Sequence, residues 1–434
     1  MDRYIADQII TMADIDSRPI AGGAVDVDAG RVVWVGPAAD APDIPGINVH
    51  HVGGVLMPGL INTHAHSPMV LLRGMGEGLP VGRWLREVMW PREARVTDDD
   101  VLAGMRMGAA ELLLNGVTTS VEMYFRPGAI AQAADDIGLR CLVAAAVIDQ
   151  PQLTEFGTWE SQIDDVMELQ ERWASSDIVD IALGPHDSTL AEPCLRRIAA
   201  TAKEADMLVH IHLSEHQSEV AAVEELAGTS ASKYLESIGL FEPSALVAHG
   251  VWLSDEDIEI LSRNDVAVAH CPCSNSKHAS GIARVEDMIE AGVRVSLGTD
   301  GPASHHRLDM FEEMRTAMRL ARIKGGNPLA LPARRALWMA TAGAADAIGK
   351  PDLGRLVPGA VADMVAMDNS LPALNPILPE QDDPISRVVW SGTPEAISAV
   401  WVGGEKLVDR GQLTRVDVSE LASESLKAAI RIAN

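Results

Sequence analysis

Short apolar runs rich in β-formers recur along the middle of the chain, each followed by a stretch whose apolar positions return every three or four residues. The runs cover residues 55–66, 118–124, 141–149, 181–187, 208–215, 245–253, 266–275 and 293–300. Between them, residues 101–115, 127–137, 160–174, 194–205, 255–263 and 310–322 carry helical periodicity. Eight alternating units predict a (β/α)8 barrel. A doubly wound open sheet also alternates, but it usually has fewer strands and a glycine-rich phosphate loop after the first. Here the first run ends in Thr63-His64-Ala65-His66 instead.

Polar residues collect where these runs end: His64 and His66, Glu122, Asp149, His186, His212 and Glu215, His249, His270, and Asp300. A barrel carries its chemistry at that C-terminal face. One such histidine is ordinarily a hydrogen-bonded structural residue, but ionisable groups at every strand end point to a site.

Residues 1–57 and 360–434 read differently. They hold short alternating runs with turn signals, such as GRVVWVG (residues 30–36) and ISAVWVGGEKLVDRGQL (residues 397–413). The two ends are expected to pair into a small β-sandwich beside a barrel of residues 58–359. The proline- and acid-rich stretch 371–383 reads as an exposed loop within it.

Composition narrows the function. The 434 residues are 47% hydrophobic and 22% charged, as in an ordinary globular protein. Thirty-five Lys and Arg against 62 Asp and Glu leave a formal charge of -27, which argues against nucleic acid and anionic membranes as partners. There is no run of 18 apolar residues, and the acidic N-terminal stretch does not read as a secretory signal. Four cysteines are too few for a disulfide framework, so a cytoplasmic protein is expected. Cys271 and Cys273, one residue apart, are too close for the usual zinc pair and read as lining or packing residues.

Period-two alternation sends His64 and His66 to one face, where both imidazoles can reach one metal. His212 and Asp300 complete a set of three neutral nitrogens and one carboxylate. Such a set suits one divalent ion, Zn2+ first, with Fe2+ or Mn2+ as alternatives. A metal with an open position lowers the pKa of its water to roughly 7, which points to hydrolysis. Glu215, three residues beyond His212, is assigned proton transfer. His249 is placed to contact the attacking oxygen. Asp300, between glycines in GTDGPAS (residues 298–304), binds metal and accepts the water's proton.

The motifs PGLINTHAH (58–66), MVLLRG (69–74), HIHLSE (210–215), VAHGV (247–251), HCPCSN (270–275), SLGTDGPAS (296–304) and LVPGAVADMV (356–365) resemble the amidohydrolase superfamily. Within it they are most similar to the branch of methylthioadenosine/S-adenosylhomocysteine deaminases and chlorotriazine hydrolases. The resemblance implies a distorted TIM barrel joined to a β-sandwich from both termini, and a small-molecule substrate. It implies one metal rather than two, because His186 stands where binuclear relatives carry a bridging Lys; His186 then faces the substrate. It also implies that Glu93 binds the ribose hydroxyls of an adenine nucleoside, a role a carboxylate fills well. Trp84 is expected to wall the pocket. Assembly into dimers or tetramers is implied by resemblance alone.

Adenosine, 5'-methylthioadenosine, 5'-deoxyadenosine and S-adenosylhomocysteine are the candidate substrates of a hydrolytic deaminase. Guanine, oxopurine, pterin or s-triazine rings are the alternative, losing amine or halide. Residues 141–171 contain no Arg or Lys to hold an amino-acid carboxylate, which weakens S-adenosylhomocysteine. His278, His305 and His306 depart from the branch's usual residues beside the site.

Overall fold

The computed structural model describes residues 1–378 and 383–433. Its centre is a sheet of eight parallel strands hydrogen-bonded in sequence order: β1 (Leu60–Ala65), β2 (Val117–Tyr124), β3 (Arg140–Val147), β4 (Val179–Pro185), β5 (Val209–Leu213), β6 (Ala245–His249), β7 (Ala267–His270) and β8 (Val295–Leu297). The ring closes where Asp300 N donates to His64 O at 3.0 Å and Asp300 bridges Ala65. Below this seam Thr63 Oγ1 and Ser296 Oγ meet at 2.8 Å. Gly298 makes the closure possible: a Cβ there would lie 2.7 Å from the His64 Cβ.

The first apolar run is divided between two bodies. Val55–Pro58 pairs with Met364–Met367 in a terminal sheet, and the chain enters the barrel at Leu60. Gly59 marks the crossing, since any Cβ would collide with Thr118. The later runs are shorter than their apolar patterns because the backbone turns into the left-handed region at Ser214 (φ 51), His249 (φ 75) and Asp300 (φ 60).

The terminal strands form one continuous path, in the order Gln412–Leu413, Glu405–Asp409, Ile397–Val402, Met364–Met367, Val55–Pro58, Asp2–Ile9, Ile20–Asp28, Arg31–Pro37, with Asn48–His51 also on Asp2–Ile9. Tyr4, Val25, Leu56, Met364 and Trp401 of this sheet are buried together in an apolar core of their own, with the Tyr4 and Trp401 rings edge-on at 5.1 Å. Arg140 of β3 ties sheet to barrel through buried Asp363 at 3.0 Å. Not all of the C-terminal segment stays in the sheet. Helix Val418–Ala433 returns to the barrel and packs on Asp98–Leu114, where Arg431 Nε donates to Asp100 at 2.9 Å. In the stretch read as an exposed loop, Pro372–Leu374 forms a helical turn with Leu374 buried, and residues 379–382 lie outside the described residues. No helix among the described residues is long and apolar enough to cross a membrane.

Candidate active site

At the C-terminal ends of the barrel strands, hydrogen bonds fix the ring nitrogens of three histidines. His210 Nδ1 donates to Leu246 O at 2.9 Å, so its Nε2 accepts from His64 Nδ1 at 2.7 Å. That leaves the His64 Nε2 lone pair facing the centre, fully buried and without a hydrogen-bond partner. His66 Nδ1 donates to Met123 O, and His212 Nδ1 donates to His186 O at 2.6 Å. Their Nε2 atoms meet at 3.4 Å. Asp300 Oδ1 lies 3.2 Å from His66 Nε2 and 3.7 Å from His64 Nε2.

Each of these imidazoles is held through one nitrogen so that the other presents a lone pair, which is how proteins orient metal-binding histidines. Burial, reinforced by neighbouring imidazoles, pushes His64 and His212 well below the usual histidine range and keeps them neutral. Burial opposes ionisation of Asp300, but His66, His249 and His64 outweigh it and hold the carboxyl well below its usual range. Ser274 Oγ donates to Asp300 Oδ2 at 2.5 Å and Gly301 N to Oδ1 at 2.7 Å. Burial lowers the His66 imidazole, but its hydrogen bond to Asp300 and the carboxylate's charge outweigh that and raise it, so a metal binding there would displace a proton. Two neutral imidazoles, an ionised carboxylate and an orphaned buried nitrogen fit a divalent metal ion.

His249 joins this rim: its ring lies 5.4 Å from that of His64, and its Nδ1 donates to Asn275 Oδ1 at 3.0 Å. His249 Nε2 is 4.0 Å from Glu215 Oε2. The backbone before Glu215 is held by a residue the sequence did not single out. Glu219 accepts from Ser214 N at 2.9 Å and Glu215 N at 2.8 Å. Burial and the nearby Glu215 push the Glu219 carboxyl up to about 7. The only sequence signal for it was an acid in the first turn of helix Gln217–Ala227.

These groups open into a cavity of about 630 Å³ that is also lined by Glu93, Trp84, His186 and His278. Glu93 is buried in the wall on the short helix Trp90–Glu93, where burial raises its carboxyl and the Tyr124 hydroxyl bonds to it. Trp84 is both wall and core: it is 4% exposed, donates its indole N–H to Met75 O at 3.1 Å, and packs on the His278 ring at 5.0 Å. His186 bonds Asp187 at 2.9 Å and lies 5.0 Å ring to ring from His212.

The remaining strand-end groups stay out of the cavity. Glu122 accepts from Ser67 N, Ser67 Oγ and Ser120 Oγ and braces the turn after His66. Asp149 is exposed, and His270 is buried among the strands with its imidazole driven down to about 3 by burial. His278 borders the cavity, while His305 and His306 lie outside its lining.

An eight-stranded barrel with a set of imidazoles and a carboxylate able to hold a metal at its C-terminal rim defines a metal-dependent hydrolase. The chain belongs to the amidohydrolase family, whose model matches residues 55–407. It is 35% identical over 417 residues to a 5-methylthioadenosine/S-adenosylhomocysteine deaminase from Pelotomaculum thermopropionicum, covering 95% of this chain and 94% of the relative. It is 37% identical over 412 residues to a 5'-deoxyadenosine deaminase from Methanothermobacter thermautotrophicus, covering 94% and 95%. Among solved structures, a zinc-bound adenosine deaminase from Xanthomonas campestris superposes with a TM-score of 0.92 at 30% identity, covering 100% of this chain and 98% of the other. An atrazine chlorohydrolase from Arthrobacter aurescens shares the fold at a TM-score of 0.90 and 24% identity, covering 99% and 100%.

Proposed function

We propose that this chain hydrolytically deaminates an adenine nucleoside, with adenosine, 5'-methylthioadenosine, 5'-deoxyadenosine or S-adenosylhomocysteine as the substrate set, to give the inosine analogue and ammonia. The observation that carries the reading is one cavity lined both by His66, His212 and Asp300, which stand with buried His64, and by Glu93, a buried carboxyl of the kind that suits vicinal hydroxyls. The relatives named above, which deaminate adenine nucleosides by their names, support it.

His64, His66, His212 and Asp300 would hold one divalent ion, Zn2+ first and Fe2+ or Mn2+ as alternatives, whose chemistry is to make a water nucleophilic at neutral pH. Asp300 takes the proton released as that water attacks the amine-bearing ring carbon. Glu215 gives a proton to the adjacent ring nitrogen, neutralising the charge that develops there; protonated Asp300 then passes its proton to the departing amine, and the proton of the added hydroxyl returns to Glu215 as the ring carbonyl forms. Water adds and ammonia leaves, so the protons balance. His249, braced by Asn275, orients the attacking oxygen. Glu219 positions Glu215 by bonding its backbone. Glu93 binds the ribose hydroxyls, Trp84 walls the ring pocket, and His186 faces the substrate.

We further assign residues 58–359 to the hydrolase barrel and residues 1–57 with 360–434 to the composite sheet. A homodimer or homotetramer in the cytoplasm is the working form, the compartment being supported by four buried cysteines, all unpaired.

The test is ammonia release by metal-loaded protein across the four nucleosides, guanine, 8-oxoguanine and aminotriazines, ranked by kcat/KM. An adenine nucleoside is expected to lead by a wide margin. Turnover confined to a free base or triazine would overturn the nucleoside reading and leave the hydrolase in place.

A further inference from the structure

Among the described residues, three groups of His, Cys, Asp and Glu bring their ligand atoms within 4.8 Å of one another, and two of these belong to the cluster at the cavity. The third is Cys273, His305 and Glu313. Cys273 lies on helix Pro272–Lys277 after β7, His305 ends helix Pro302–His305 after β8, and Glu313 is in the first turn of helix Met310–Gly325. None of the three lines the cavity.

Glu313 is fully buried, with the Cys273 and His305 side chains nearly so. Its Oε2 accepts from Cys273 N at 3.1 Å, but its Oε1 has no hydrogen-bond partner. His305 Nδ1 lies 3.4 Å from that orphaned oxygen while donating to Arg307 O at 2.8 Å. The Cys273 thiol is 3.3 Å from Thr316 Oγ1. Packing accounts for Cys271, whose thiol reaches Ala269 O at 3.6 Å, but leaves a buried carboxyl oxygen unsatisfied beside a thiol and an imidazole.

We propose that Cys273, His305 and Glu313 form a second metal site, for a thiolate-tolerant divalent ion of the Zn2+ and Co2+ class. Charge supports the assignment. One thiolate, one carboxylate and one neutral imidazole cancel a 2+ ion, so the buried site carries no net charge. Without a cation, burial pushes the Glu313 carboxyl and the Cys273 thiol up and keeps both protonated. Binding releases those two protons to solvent as the S–metal and O–metal bonds form. His305 exchanges its Nδ1 bond to Arg307 O for the metal, its proton moving to Nε2, which lies 3.7 Å from Glu312 Oε2. Zinc bonds of about 2.0–2.3 Å require the three ligand atoms to draw together by about 1 Å. The ion would pin the segments after β7 and β8 to helix Met310–Gly325. Those segments also carry Ser274 and Asp300, which bond each other at 2.5 Å.

Cobalt loading of the full-length protein tests this independently of the substrate. Two equivalents of Co2+ per chain and a near-ultraviolet sulfur-to-cobalt charge-transfer band are expected, since the cavity cluster contains no cysteine. Cys273→Ser and His305→Asn should each lose one equivalent and the band, and retain the other equivalent and the wild-type circular dichroism. A wild-type protein that saturates at one equivalent without the band overturns the site, as does a band that survives in Cys273→Ser.

Discussion

The two ends of the cavity are built on different principles. At the metal-binding end every functional group stands on or just past a barrel strand, and each imidazole is held through its far nitrogen by a neighbour: His210, the Met123 carbonyl or the His186 carbonyl. At the other end Glu93, Trp84 and His278 stand on short helical turns outside the strands, and His278 Nε2 is buried without a partner. The first end is pinned by these bonds, with the His64 Nε2 lone pair left over for a metal, and is set for one chemistry; the second stands on turns outside the barrel strands, which is where substrate choice can be altered without disturbing the reaction.

That contrast can be broken most severely at the reacting end. Removing the metal with a chelator should abolish turnover on every substrate, with activity restored by Zn2+. Glu215→Gln should lower kcat by about 100- to 10,000-fold while the protein keeps its metal, because a proton donor is lost and no ligand is. Loss of metal together with activity, read by metal analysis, would refute the role given to Glu215.

Substitution at the substrate end should act selectively. Glu93→Ala should reduce kcat/KM for nucleosides by about 10- to 100-fold, from loss of charged hydrogen bonds, and leave metal content unchanged. An unchanged kcat/KM for the best nucleoside would remove ribose recognition from Glu93. His210→Ala, which frees the far nitrogen of His64, should weaken metal affinity by about 10- to 100-fold, measured by competition with a chromophoric chelator.

The smallest effect concerns Glu219. Its carboxyl, raised to about 7 by burial and by Glu215, binds a proton more tightly in the folded chain than in the unfolded one. Its contribution to stability is therefore full below the ordinary carboxylate range and is lost as pH rises towards 7. Glu219→Gln should flatten the decline in Tm across pH 5 to 8; an unchanged slope would place the titration elsewhere.

Much of this contrast was legible in the chain. Period two at His64 and His66 and the recurrence of polar groups at strand ends followed from strand geometry, which depends only on local alternation. The same rule overreached at Asp149 and His270, because alternation does not say whether a side chain enters the cavity or packs among strands. Glu93 and Trp84 came from resemblance, since no periodicity describes the turns that carry them. Glu219 was missed because its task is to accept backbone N–H groups, which leaves no mark on residue pattern. Helix Val418–Ala433 was missed for a different reason: its partner, Asp98–Leu114, lies more than 300 residues earlier.

The continuous terminal sheet has a consequence for how the chain is made. Val55–Pro58 takes Met364–Met367 as a hydrogen-bonded neighbour, so the first strands leave the ribosome with an unsatisfied edge that persists until more than 300 further residues have been synthesised. Throughout that interval the N-terminal hairpin presents an open template to any other nascent strand. Pairing across so long a separation makes the last step of folding a slow, non-local one. Translation rate and chaperone supply, rather than the strength of the finished barrel, should therefore govern the yield of native protein.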